Sequence, residues 1–126
     1  TPHSAREVLV ASIGNDPYQK LQELNALGTQ LAEKEGVAYE LEKELKPLLA
    51  TIATEYAVAH SHINLSEAKL DRMAKADNRY SNHIKAVAEA IRQRERTKNE
   101  FWAIKSELEW DRTAIAHLNS LTRLEQ

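Results

Sequence analysis

From Leu48 to Gln126 the chain contains neither glycine nor proline. A β-sandwich or barrel needs a turn roughly every eight to twelve residues, and an α/β nucleotide site needs a Gly-rich loop. This stretch supplies neither. What it does supply is helix-forming material. Ala, Leu, Glu, Lys and Arg account for 65 of the 126 residues, the composition of long helices that pack through narrow seams. With 18 Ala and 15 Leu but only seven aromatics, a globular core would be thin. The prediction is an all-α fold, an elongated antiparallel helical hairpin or small bundle with coiled-coil packing.

Local signals divide the chain further. Ser4 and Glu7 have capping-box spacing for a short helix from Ala5 to about Ile13, which Gly14 would end. Asp16 suits the cap of a second helix and Pro17 its first position, where a missing N–H costs nothing. Residues 1–14 therefore read as a short helical arm and residues 15–126 as a single helical domain. In the second helix Leu21, Leu24, Leu31, Ala38, Leu41, Leu45, Leu48, Ile52 and Tyr56 recur mostly at steps of three, four or seven. Gly28, Ala32 and Gly36 stand four apart, a smooth stripe against which a neighbouring helix can approach closely. Pro47 would clash with the Lys43 carbonyl and either kink or break the helix. Asn64 and Glu67 are compatible with a new cap or with an uninterrupted helix. Asp77 is positioned to cap the last helix.

Two seven-residue series follow. One reads Leu70, Asp77, Ile84, Ile91, Lys98, Lys105, Arg112, and its companion Met73, Tyr80, Val87, Arg94, Phe101, Leu108, Ile115. Their alternation predicts left-handed supercoiling against a partner helix. On this reading the apolar seam turns basic at Arg94, Lys98, Lys105 and Arg112. Three explanations are open. The side chains border the seam with wet charges, or they form a phosphate-binding face. Alternatively they pair with acids across it. Were the chain to reverse near Asp77, Lys98 would fall opposite Glu55 and Arg112 opposite Glu40 or Glu42.

Trp102 and Trp110 lie off the main stripe, and with Tyr80 and Phe101 they are the candidate contacts for a protein partner. Arg92, Arg94, Arg96, Lys98 and Lys105 are the candidate contacts for nucleic acid, although a net charge of −2 provides no global attraction. Nothing points to catalysis. There is no cysteine, no His-Glu-x-x-His and no nucleophile turn, and neighbouring carboxylates such as Glu33 and Glu35 diverge around the helix. No cofactor and no metal site is expected. No apolar run approaches the roughly 18 residues of a membrane span.

The stretch Ala76-Asp77-Asn78-Arg79-Tyr80-Ser81-Asn82-His83, followed by an Ala-rich, Arg-bearing helix, Phe101 and Glu109-Trp110-Asp111-Arg112-Thr113, resembles small helical proteins encoded by tailed bacteriophages. The resemblance covers residues 65–117 and departs from its pattern at Asn78, where proline is usual. It implies work around DNA or a host protein and brings no catalytic residues. Together these readings predict a non-catalytic, self-associating module, a homodimer or higher, that binds a protein partner through its helix faces. An accessory nucleic-acid-binding protein of replication or recombination is one alternative, and a structural coiled-coil component of a particle another. The expected location is the cytoplasm of a bacterial host.

Overall fold

A computed structural model describes residues 4–8 and 17–125. Among these residues the fold is all-α, with no strand. A helical turn at 5–8 precedes α1 (Pro17–Lys43), α2 (Leu45–Ala59), α3 (Glu67–Ala76) and α4 (Asn78–Glu125). No helix among them is long and apolar enough to cross a membrane. The chain divides into two compact units, Thr1–Leu31 with Arg96–Gln126, and Ala32–Glu95.

In the first unit the start of α1 runs antiparallel to the second half of α4. Lys20 meets Asp111, and Gly28 faces the Phe101 ring. The α1 side chains turned toward this seam are Pro17, Lys20, Leu24, Leu27 and Leu31, at steps alternating three and four. Those of α4 are Thr97, Phe101, Ile104, Leu108 and Asp111, again at alternating steps. Such spacing keeps one narrow stripe facing one neighbour. At the amino-terminal end the Glu7 N–H donates to Ser4 Oγ at 3.1 Å, the first half of the expected capping box. Arg6 ties this turn to the end of α4, donating to Thr122 Oγ1 at 3.0 Å and Glu125 Oε2 at 2.7 Å. The expected continuation to Ile13, the stop at Gly14 and the cap at Asp16 lie outside the described residues.

Within the second unit the inward positions of α1 are Lys34, Ala38 and Leu41, and those of α2 include Leu45, Leu48 and Ile52. Ala38 and Ile52 are fully buried. Pro47 interrupts the helix at a single residue, Glu44, between α1 and α2. Hydrogen bonds resume on both sides, from the Glu44 N–H to Glu40 O and from the Leu48 N–H to Glu44 O. The outcome is a one-residue interruption with helical bonding on both sides, because only the bonds near the proline are lost. His83 of α4 braces this point, its Nε2 donating to Leu41 O at 2.7 Å with Glu44 Oε2 3.9 Å away.

α3 packs on α2. Its cap is Ser66, whose Oγ accepts from the Lys69 N–H at 3.2 Å, and not Asn64 as the capping-box spacing suggested. Ser66 has the extended backbone that a cap needs, and Glu67 falls in the first turn, beside the positive end of the helix dipole. Asp77 does cap α4, since its Oδ1 accepts from the Arg79 N–H at 2.9 Å. The same carboxylate accepts from the Arg79 guanidinium and, at 2.9 Å, from the Tyr56 hydroxyl. These donors, Arg79 foremost, hold the Asp77 carboxyl down at about 2. The bond to the carboxylate raises the Tyr56 hydroxyl in turn.

Three expectations need correction. The glycine stripe is a close approach only at Gly28, where an added Cβ would sit 3.5 Å from the Phe101 ring, whereas Gly36 has open space. The cross-seam pairs are also different. Glu55 bonds Arg79 at 2.6 Å, and the acid that pairs across the first unit is Asp111, with Lys20. The segment around α3 packs on α2, so α4 starts beside Tyr56 and the whole register of opposing residues shifts.

The third correction concerns the seam itself. In the second unit Tyr80, Val87 and Arg94 do face inward, with His83 and Ala90 as companions, and in the first unit Phe101 and Leu108 do so with Thr97, Ile104 and Asp111. Ile84 is 44% exposed, and Lys98 and Arg112 are exposed. The apparent basic stretch of seam is therefore mostly its border. Alanine, threonine and a charge-paired aspartate fill the buried positions, and residue hydrophobicity alone gives them no weight.

Candidate interaction surface

Around α4 of the first unit, the two borders of the seam differ in character. At about 100° per residue, Glu100, Ala103 and Glu107 project on one side of the seam line. Lys98, Trp102, Lys105 and Arg112 project on the other, centred about half a turn away. α1 repeats the division. Glu23, Ala26 and Gln30 lie on the first side, and Leu21 and Gly28 on the second.

The first side forms a groove. Ala26, Leu27, Ala103 and Ile104 make its floor, Glu23, Glu100 and Gln30 its rim, and its volume is about 460 Å³. The floor is shallow because alanine stands where a bulky residue would fill the space between α1 and α4. Neither Glu23 nor Glu100 has an ion-pair partner among the described residues. Glu107 lies farther along the same side, 3.8 Å from Lys20.

The second side carries aromatic and basic groups. Trp102 is 48% exposed. The Phe101 ring meets it edge-on at 5.8 Å, and Lys105 Nζ stands 4.4 Å from its ring centroid. The flat indole is thus braced from below and carries a cation on its face, an arrangement in which ring quadrupole and charge attract. Leu21, 46% exposed, lies on the same side of α1.

The candidate residues separate accordingly. Trp102, Phe101, Lys98 and Lys105 come together on this side, with Phe101 half-buried as the link to the seam. Trp110 is 51% exposed on another face of α4. Tyr80 is half-buried at the start of α4 and belongs to the second unit. Among the basic candidates, Arg92 is held by Glu89 at 2.8 Å, and Arg94 lies against Glu95 at 3.3 Å. Arg96 is exposed. The acidic groove is the feature sequence reasoning missed. Its signal was present in Glu23 with Gln30 and in Glu100 with Glu107, both pairs seven apart, but without the seam these look like ordinary solvated positions. Comparison of the chain with protein-family models, curated proteins and solved structures finds no match.

Proposed function

We propose that the protein is a non-catalytic helical interaction and assembly module that binds a protein partner through the outward faces of its helices. The observation that carries this reading is Trp102, half exposed and in contact with the Phe101 ring edge and the Lys105 ammonium. A braced aromatic loses little conformational freedom on binding and buries a large area, which is why such residues dominate interface energetics. The alternation of three and four in the buried positions supports coiled-coil packing as the scaffold. The phage resemblance of residues 65–117 sets the cytoplasm of a bacterial host as the place to seek the partner.

The nucleic-acid reading is weaker. Arg92 and Arg94 are engaged by Glu89 and Glu95 on their own helix, so a phosphate backbone would have to compete for them. Affinity capture from host lysate tests the proposal, with Trp102→Ala alongside the unaltered chain. The expected result is a specific protein retained by the unaltered chain and lost in the variant, with helicity by circular dichroism equal in both. Equal capture by both removes Trp102 from the reading. Salt-sensitive binding of labelled DNA in place of a protein would favour the alternative.

A further inference from the structure

We infer that the acidic groove of the first unit is the docking site for the basic, aromatic side of the same unit in a second copy of this chain. The inference rests on the interaction-module reading and names the surface and the partner. Three observations carry it. First, the two sides lie on opposite flanks of one seam and differ in net charge, with Glu23 and Glu100 beside a single Arg96 on one, and Lys98, Lys105 and Arg112 beside a single Glu109 on the other. Second, they share a repeat. Glu100 and Glu107 are seven residues apart, as are Lys98, Lys105 and Arg112, so both rows advance by about 10.5 Å per step along the helix. Two copies packed side to side thus bring several opposite charges together at once. Third, the shapes agree. Ala26 and Ala103 leave the groove of about 460 Å³ unfilled, and the braced Trp102 is a projecting group of the kind that fills such a hole.

Charge also selects the mode of assembly. A two-fold dimer closing groove on groove would set Glu23 and Glu100 against their own copies, and like charges repel. Groove against basic side is a heterologous contact. Each copy then keeps one side unused, so the assembly continues to further copies or closes as a ring.

The test uses the full chain. Sedimentation velocity over a concentration series should show species larger than a dimer that dissociate as salt is raised. Two charge-reversal variants then separate the sides, Glu23→Lys with Glu100→Lys for the groove, and Lys98→Glu with Lys105→Glu for its complement. All four positions are on the borders of the seam, and circular dichroism checks that the helices remain. Each variant alone should stay monomeric. Mixed in equal amounts, they should co-assemble, because the native groove of one variant meets the native basic side of the other, and the two reversed sides are again opposite in charge. A wild-type chain that is monomeric at every concentration overturns the inference. So does assembly that neither reversal changes, or a mixture that stays monomeric. An unaltered chain that does not self-associate but still captures another protein in a Trp102-dependent way would overturn this inference and leave the functional reading standing.

Discussion

Lys20 Nζ lies 2.8 Å from Asp111 Oδ2, with Lys20 7% exposed and Asp111 2% exposed. The second oxygen, Asp111 Oδ1, is buried without a hydrogen-bond partner. An ion pair set into a helix seam contributes less stability than apolar residues of the same size, since both charges lose their water. What it contributes is selectivity. Sliding α1 along α4 by one seam position would leave a buried carboxylate facing leucine.

Asp111→Ala should therefore destabilise the protein by roughly 3 kcal/mol, because Lys20 is left buried beside a cavity. Glu107, 3.8 Å from Lys20, softens the loss. Replacing both partners, Lys20→Met with Asp111→Leu, should recover most of it. Urea unfolding of the three proteins measures the difference. A double variant no more stable than Asp111→Ala would show that the Lys20–Asp111 pair itself, and not the desolvated lysine, holds the seam.

Gly36→Ala should raise stability by about 1 kcal/mol, the helix-propensity difference between the two residues. Open space surrounds the position, so the new methyl meets nothing. At Gly28 the methyl would make ordinary contact with Phe101 at 3.5 Å, and the gain should be similar. Thermal unfolding reads both. A fall in melting temperature at Gly36 would mean that something covers that face in solution.

The position of the seam on α4 is open to a simple comparison. Val87 is 8% exposed and Ile84 44% exposed, although both are aliphatic and three residues apart. Val87→Ala should cost about 1.5 kcal/mol, two methyl groups' worth of buried surface. The larger truncation, Ile84→Ala, should stay within about 0.5 kcal/mol. The opposite order in denaturant midpoints would place the seam on the Ile84 series.

Acid should loosen the junction between α3 and α4. The Asp77 carboxyl titrates at about 2 in the folded chain and near 3.9 when unfolded. Its native pKa is depressed, so its contribution is fully present above about pH 4 and is lost as pH falls toward 2. Asp77→Asn keeps a capping side chain but cannot titrate. The drop in unfolding midpoint between about pH 5 and 2.5 should be visibly smaller in this variant. Equal drops in both proteins would assign the acid sensitivity to other carboxylates.

Much of the backbone is legible in the order of the residues. No glycine or proline follows Pro47, and among the described residues the chain there is helix apart from 60–66 and Asp77. Asp77 announces its cap through a short polar side chain placed ahead of a helical run, and Pro47 announces a kink or a break through a missing N–H. Caps and proline effects are local, settled by a few neighbouring residues, and therefore readable from order alone. The interaction surface is half legible. Trp102, Phe101, Lys98 and Lys105 stand out by residue type, whereas the groove between Ala26 and Ala103 does not, because a groove is defined by what two distant segments leave unfilled.

Residue order settles that the chain is helical and marks the punctuation at Asp77, since backbone hydrogen bonding and side-chain propensity act within a few residues, whereas it leaves open the break before Glu67 and its cap at Ser66. Which face of α4 is buried is decided only by packing. An Ile-bearing series and a series of Ala, Thr and Asp compete for the seam, and hydrophobicity favours the first. The second wins because Lys20, far away in the chain, meets Asp111 there, and because alanine and threonine let the two helices come close. Neither the charge compensating a buried aspartate nor the helix accepted by a small side chain is a local property, so neither is written in any short stretch of residues.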